Sequence, residues 1–235
     1  MKEVTGSNPV PPTMELKSLY EDDTLLVVDK PAGIDIEGIK IALPGGFAPA
    51  HRLDKDTSGV LLVAKNPETL DFLHKQFQER RVDKKYVCLV EGNVPDKEGT
   101  IETLVGRSKG DKRKQKVYLA GEPGSEGKRE AMSLYRVLQR FKEYTLLEVA
   151  PKTGRKHQIR AHLAYIGHPI AGDKLYSFKN QKILTTLKRQ FLHASFLRMM
   201  MPNGTIREFA SALPKDLNVV LDNIAASDSE HDNKT

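Results

Sequence analysis

The segment His51-Arg52-Leu53-Asp54-Lys55-Asp56-Thr57-Ser58-Gly59 sets one carboxylate, Asp54, between cations on both sides. The small polar turn Thr57-Ser58-Gly59 follows at once, and then an apolar, strand-like run from Val60 to Ala64. A carboxylate flanked by Arg52 and Lys55 at a strand entrance is supported electrostatically by its neighbours and held rigidly by the sheet. That suits a nucleophile or a base. The same residues also suit a plain turn, because Asp, Thr, Ser and Gly are all ordinary turn formers. On spacing alone the plain turn is the simpler reading, and the rest of the chain reverses it.

Three further segments combine turns with charge. Lys30-Pro31-Ala32-Gly33 places a cation at a strand end, and Lys85-Tyr86 opens an apolar strand with an aromatic. Thr153-Gly154-Arg155-Lys156-His157-Gln158-Ile159-Arg160 loads a helix entrance with Arg155, Lys156 and His157 before Arg160. A basic helix N-terminus attracts anions through its free N–H groups, its dipole and its side chains, and phosphate is the obvious guest. Tyr86 taken alone reads as an ordinary strand aromatic. Histidines 51, 157, 162, 168 and 193 with Asp54 and Asp173 invite comparison with a metal hydrolase. His157 and His162 are off a shared helical face, however, and no H-E-x-x-H motif occurs. Neither a G-x-S-x-G elbow nor a G-x-x-x-x-G-K-[ST] loop is present. The chemistry suggested is carboxylate, tyrosine and arginine, without metal or nucleotide cofactor.

The elements that must position these groups follow from periodicity and punctuation. Thr24 to Val28 is β-rich and ends in the turn Asp29 to Gly33, and Val60 to Ala64 is a second strand. Asn66-Pro67 reads as N-cap and first helical residue, with Leu70, Leu73 and Phe77 at helical spacing to about Arg80. Tyr86 to Val90 is a strand. Gly106 to Glu130 reads as a long hairpin excursion around a short strand, Val117 to Ala120, and 131–138 with 144–149 as an antiparallel pair. Lys156 to Ile166 is a helix stopped by Gly167, with Arg160 beside its apolar stripe, where a long side chain can bury its stem and aim its head into a cleft. A hairpin turning at Pro202-Asn203-Gly204 and a helix from Lys215 to near Ala225 complete the pattern. Strands in adjacent pairs with flanking helices predict an α+β fold around a mixed, largely antiparallel sheet.

A chain of 235 residues suffices for a sizeable core. The globular domain is expected over 14–224. Met1 to Thr13, with no apolar periodicity, reads as an unstructured leader. Its Gly6-Ser7-Asn8-Pro9 is what GGT-TCG-AAT-CCN encodes, which resembles the T-loop of a transfer RNA gene, so translation is expected to begin at Met14. Residues 225–235 read as a disordered acidic tail.

Lys and Arg number 37 against 31 Asp and Glu, for a net charge of +6. Arg107, Lys109, Lys112, Arg113, Lys114 and Lys116 are opposed locally only by Asp111, leaving a positive field suited to a polyanion or, equally, a solvated loop. Cys88 is the only cysteine, inside an apolar run, so neither a disulfide framework nor a zinc cluster can be drawn. No apolar run approaches membrane-spanning length and no signal-peptide core is seen. A cytoplasmic location is expected.

At this point the motifs resemble the RluA-type pseudouridine synthase family. H-R-L-D-K-D-T-S-G at 51–59 is similar to that family's signature. Supporting it in order are D-K-P-A-G at 29–33, K-K-Y-V-C-L-V-E-G at 84–92, T-G-R-K-H-Q-I-R-A-H-L at 153–163, G-H-P-I-A-G-D-K-L-Y at 167–176 and R-Q-F-L-H-A at 189–194. The chain is expected to differ in having no small N-terminal RNA-binding domain of the kind many members carry, and it differs in its unusually basic 107–130 excursion and in its acidic tail. The resemblance implies isomerisation of uridine in structured RNA, ribosomal or transfer, to pseudouridine. Asp54 matches the essential aspartate, which attacks sugar or base or takes a ribose proton. Tyr86 matches the tyrosine that stacks on uracil, Arg160 the basic partner of the aspartate, and Arg52 the arginine that fills the gap left by a flipped nucleotide. Lys30, Arg155, Lys156, His157, Arg107, Lys112, Arg113 and Lys114 are expected to contact RNA. No cofactor, metal, DNA or membrane partner is implied, and a monomer is expected. The alternative is a non-catalytic RNA-binding module on the same fold.

Overall fold

The computed structural model describes residues 16–178, 184 and 186–232, and the predicted leader, 1–13, lies outside them. In chain order the elements are β1 (Lys17–Glu21), β2 (Leu25–Lys30), α1 (Ile36–Ala42), β3 (Ala48–Pro49), β4 (Ser58–Ala64), α2 (Pro67–Gln78), β5 (Asp83–Glu91) and β6 (Glu98–Arg107). They continue with β7 (Gln115–Tyr118), β8 (Arg129–Arg140), β9 (Tyr144–Pro151), α3 (Gln158–Tyr165), β10 (Leu192–Met200), β11 (Ile206–Ala210) and α4 (Lys215–Asp232).

The strands form one sheet in the order β1-β2-β4-β10-β5-β9-β8-β6-β7, with β11 on β10 and β3 on β4. Among the described residues only the β4–β10 pairing is parallel, made through His193 opposite Ser58 and Ala194 opposite Gly59. The fold is therefore α+β with a mixed, largely antiparallel sheet, as the sequence predicts.

The centre of the sheet is dry on both sides. Every residue of β4 is buried, because Leu73 of α2 packs with Val60 and Leu62 on one face while Ile39 of α1 packs with Leu61 and Val63 on the other. That is why β4 reads as a continuous apolar run and not as an alternation. Gly59 sits at φ +116, and a Cβ there would collide with the Ala194 backbone carbonyl. Glycine is thus what lets β10 close against β4, directly beside the Asp54 loop.

Several boundaries move. The α1 helix, capped by Asp35 accepting from the Gly38 N–H at 2.9 Å, has no counterpart in the sequence reading. The short strand expected at Val117 to Ala120 is β7, ending at Tyr118, where its pairing with β6 stops. The α3 helix begins at Gln158 because His157 lies in the left-handed region at φ +54, so Lys156 and His157 belong to the preceding loop.

The expected helix end near Ala225 is corrected: α4 continues to Asp232, so an unstructured segment does not begin at 225. Asp228 accepts the Lys142 N–H at 2.9 Å, tying the helix to the β8–β9 turn. The hydroxyls of Ser227 and Ser229 bond back to helix carbonyls.

His162 is wholly buried between the hydroxyls of Thr103 and Ser133, each at 3.0 Å. Burial pushes its pKa down to about 4. An unfolded imidazole titrates near 6.5. Between those values the unfolded chain takes up a proton that the folded one refuses, so stability is lost as pH falls from about 6.5 to about 4, by up to roughly 3 kcal/mol. Urea midpoints at pH 7 and pH 4.5 should show that loss in the wild type and a smaller one in His162→Gln.

Candidate active site

The Asp54 loop joins β3 to β4 and is clamped from two sides. The Lys30 ammonium, fully buried, donates to the carbonyls of Pro31, Lys55 and Thr57 at 2.8, 3.1 and 2.8 Å. Burial pushes its pKa down to about 8. From the other side Arg189 donates to the Asp56 carbonyl at 3.0 Å and to Ser58 Oγ at 3.2 Å, held in turn by Asp216 at 2.7 Å, and Gln190 donates to Thr57 Oγ1 at 3.1 Å. The Thr57 N–H closes the turn onto the Asp54 carbonyl at 3.0 Å. These bonds correct the expectation for Lys30. Its charge is turned inward onto these carbonyls, of which that of Lys55 also accepts the Gly33 N–H at 3.0 Å, and the fully buried ammonium is not at a surface that RNA could contact.

Asp54 faces Arg160, in the first turn of α3. Arg160 Nη1 donates to Asp54 Oδ2 at 2.9 Å, while Nε and Nη2 grip Asp173 at 2.7 and 2.9 Å. Asp173 is completely buried and also accepts the N–H groups of Leu175 and Tyr176. A guanidinium fixed side-on by one carboxylate presents its remaining corner to the second in a single orientation. Burial works against the Arg160 charge, but the bonds and charges of Asp173 and then Asp54 outweigh it and raise its pKa. Asp54 Oδ1 has no protein donor among the described residues.

Tyr86, half-buried in the middle of β5, is paired with Val149 of β9 and Ala194 of β10. It lines the same cleft as Asp54 and Arg160, whose volume is about 530 Å³. Desolvation and then the Asp54 charge push its phenol pKa well up, so the hydroxyl keeps its proton at neutral pH.

His157 sits beside this group. Its Nδ1 is 3.1 Å from the Tyr176 hydroxyl, which accepts the Gln115 N–H at 2.7 Å, and its Nε2 is 3.8 Å from Asp54 Oδ2. We assign the phenol proton to Nδ1, which makes Nε2 the protonated nitrogen facing the carboxylate. Burial lowers the His157 pKa, against the pull of Asp54.

The loop before α3 is pinned by Gln158. Its amide donates to the Met132 carbonyl and Ser133 Oγ and accepts from Thr153 Oγ1 and the Arg155 N–H, all within 3.0 Å. Arg52, Arg155 and Lys156 line the cleft with His157. Arg107, Lys112, Arg113 and Lys114 do not. They occupy the β6–β7 hairpin, where Arg113 is paired with Asp111 at 2.8 Å and the Lys114 ammonium lies 5.9 Å from the centre of the Tyr176 ring.

Asp173, Tyr176, Arg189 and Gln190 are the positioning groups that the sequence reading does not assign. Their motifs, G-D-K-L-Y and R-Q-F-L-H-A, were visible, but the contacts that give them meaning span the chain. Among the described residues no group of three His, Cys, Asp or Glu side chains is arranged to hold a metal ion. No described helix is long and apolar enough to cross a membrane.

The family described as RNA pseudouridylate synthase matches residues 24–165. Ribosomal large subunit pseudouridine synthase D of Borreliella burgdorferi is 34% identical over 93% of this chain and 71% of its own length. An uncharacterized RNA pseudouridine synthase of Chloroflexus aurantiacus is 40% identical over 81% of this chain, which spans 58% of that protein. Among solved structures, human RNA Pseudouridylate Synthase Domain Containing 1 superposes with a TM-score of 0.73 at 26% identity, covering 93% of this chain and 98% of the other.

Proposed function

The chain belongs to the RNA pseudouridylate synthase family, and from that premise we propose that it isomerises specific uridines in structured RNA to pseudouridine, with Asp54 as the catalytic carboxylate. Ribosomal RNA is the substrate class carried by the names of relatives such as the Borreliella synthase. Transfer RNA is the alternative substrate class.

In the isomerisation the N1–C1′ bond breaks and a C5–C1′ bond forms. The C5 proton leaves and N1 ends with one, so mass and redox state are unchanged and no second substrate is consumed. The observation that carries the reading is the Asp54–Arg160–Asp173 chain. A carboxylate bound at one oxygen by an immobilised guanidinium, its other oxygen without a donor among the described residues, is arranged to engage a nucleoside.

A target base in a helix must first be extruded, at a cost of roughly a few kcal/mol. Arg52 at the cleft rim fills the space it vacates, and Tyr86 gives the freed uracil a stacking face. Tyr86 keeps its own proton, so it assists loss of the C5 proton by hydrogen bonding and not as a phenolate. Arg155, Lys156 and His157 grip the flanking phosphates, which offsets the extrusion cost.

The hairpin cations Arg107, Lys112, Arg113 and Lys114 add long-range affinity. Neutralising them should flatten the dependence of log K on log salt by about 0.7–0.9 per lost phosphate contact. An unchanged slope assigns the hairpin to solvent. The activity and its target are read together by pseudouridine mapping of total RNA from cells with and without the protein. Loss of one or a few sites is expected, and an unchanged map contradicts the reading.

A further inference from the structure

A second cleft of about 370 Å³ opens beside the catalytic one. Arg80, Val82, Lys84, Pro151 and Lys152 line both, so the two make one continuous trough across the start of β5. The far half adds Lys85, Arg198 and the half-buried ring of Phe196, with the Lys85 ammonium 5.6 Å from the ring centre.

The trough is electropositive and most of its counter-ions are loosely held. Among the described residues Asp83 and Glu208 are the only acids lining the second cleft, against Arg80, Lys84, Lys85, Lys152 and Arg198. Three of its ion pairs are long and exposed, Arg80–Glu130 at 3.9 Å, Lys152–Asp83 at 3.9 Å and Arg198–Glu208 at 3.8 Å, while Lys85 is held more closely, by the half-buried Glu148 at 3.4 Å. The three long pairs contribute little to the fold and are free to exchange for phosphate.

Arg80 stands at the junction. It occupies the position after α2 where the Arg81 N–H bonds to the Gln76 carbonyl and the Arg80 N–H to that of Phe77. That motif calls for a left-handed residue, normally glycine, yet Arg80 holds φ +59. Among the described residues the only other non-glycine with positive φ is His157, which lines the same catalytic cleft. A strained backbone that keeps a long cation where glycine would fit better points to a use for the side chain. Arg80 and Arg129 also repel Arg155, which burial and these two neighbours push down in pKa, leaving a cluster of guanidiniums suited to an anion.

We propose that this trough carries the single RNA strand leading away from the extruded uridine, with a phosphate on Arg80 and a base stacked on Phe196. The inference rests on the RNA-modifying reading above and adds a binding path to it. A groove of cations with an aromatic face is the general form of a single-strand site.

The test is fluorescence anisotropy of oligouridylates of three and twelve nucleotides with the wild type, Arg80→Gly and Phe196→Ala. The wild type should bind the longer probe about tenfold more tightly or better, because only that probe fills both clefts. Arg80→Gly should narrow this gap several-fold and reduce the log–log salt slope for the longer probe by about 0.7. Its melting temperature should equal or exceed the wild type's, since glycine relieves the left-handed strain. Phe196→Ala should narrow the gap with an unchanged salt slope. Equal binding of the two probes by the wild type overturns the proposal. So does an unaltered gap and slope in Arg80→Gly, or the same loss for a twelve-base-pair duplex.

Release of tritium from RNA labelled at uridine C5 separates the two claims. Release without any Arg80 dependence of binding refutes the trough alone. Arg80-dependent binding without release refutes the synthase reading alone.

Discussion

Asp54→Asn is expected to abolish pseudouridine formation, by at least about 10⁴-fold, as removal of a single essential group does in other covalent catalysts. Asparagine is nearly isosteric and still offers an oxygen to Arg160 Nη1, now 2.9 Å from Asp54 Oδ2. The loop therefore keeps its clamps from Lys30, Arg189 and Gln190, and the melting temperature should change little. What disappears is the anionic oxygen that acts on the nucleoside. RNA affinity should hold or rise, because a negative charge is removed from a cleft whose rim carries Arg52, Arg155 and Lys156. Binding isotherms and nucleoside analysis of the product RNA check both halves. Substantial turnover by the variant would refute the assignment of Asp54.

Arg160→Met should cost both stability and activity. The side chain of Asp173 is 0% exposed and depends on Arg160 for two of its hydrogen bonds. Removing the guanidinium strands a buried carboxylate close to Asp54, and breaking a buried ion pair from one side typically costs about 3–5 kcal/mol. The double variant Arg160→Met/Asp173→Asn removes the stranded charge and should recover a large part of that stability, with activity still absent. Arg160→Lys should be intermediate, since one ammonium cannot reproduce the side-on grip on Asp173 and the bond to Asp54 together. Urea denaturation of the three variants reads the energies. A loss below about 1 kcal/mol in Arg160→Met would mean that the chain of charges does not organise the site.

The contrast between Arg160 and Lys30 shows how far local sequence carries. Arg160 was legible because helical spacing put it beside Ile159 and Leu163, and the structure has it there, buried and aimed at Asp54. A lysine at a strand end is ordinarily a surface cation, which is what the sequence around Lys30 suggests, whereas its ammonium is fully buried. Its partners Lys55 and Thr57 belong to a loop more than twenty residues later, and no local pattern announces carbonyls gathered there to take an ammonium. Asp173 failed to declare itself for the same reason: its partner is Arg160, and its role exists only once α3 is docked.

Elements divide in the same way. β4, β5, β9 and α2 carry strong apolar runs or caps and were readable. The α1 helix is seven residues long and contains Gly38, too short and weak for periodicity to register. β6 does bury Ile101, Thr103 and Val105 in alternation, but Gly99, Gly106 and its threonines blur the pattern. The C-terminal end of α4 is acidic and serine-rich, a composition that suggests a tail. Its Asp228 contact to Lys142 is tertiary and invisible to composition.

The most direct measurement uses the purified protein and unmodified ribosomal RNA transcribed with tritium at C5 of uridine. Joining C5 to the ribose expels that hydrogen, so the wild type should release tritium to water in a fixed ratio to RNA, with an equal amount of pseudouridine in the digest. RNA that is bound but yields neither tritium nor a carbon-linked nucleoside, from ribosomal and transfer RNA alike, would contradict the account.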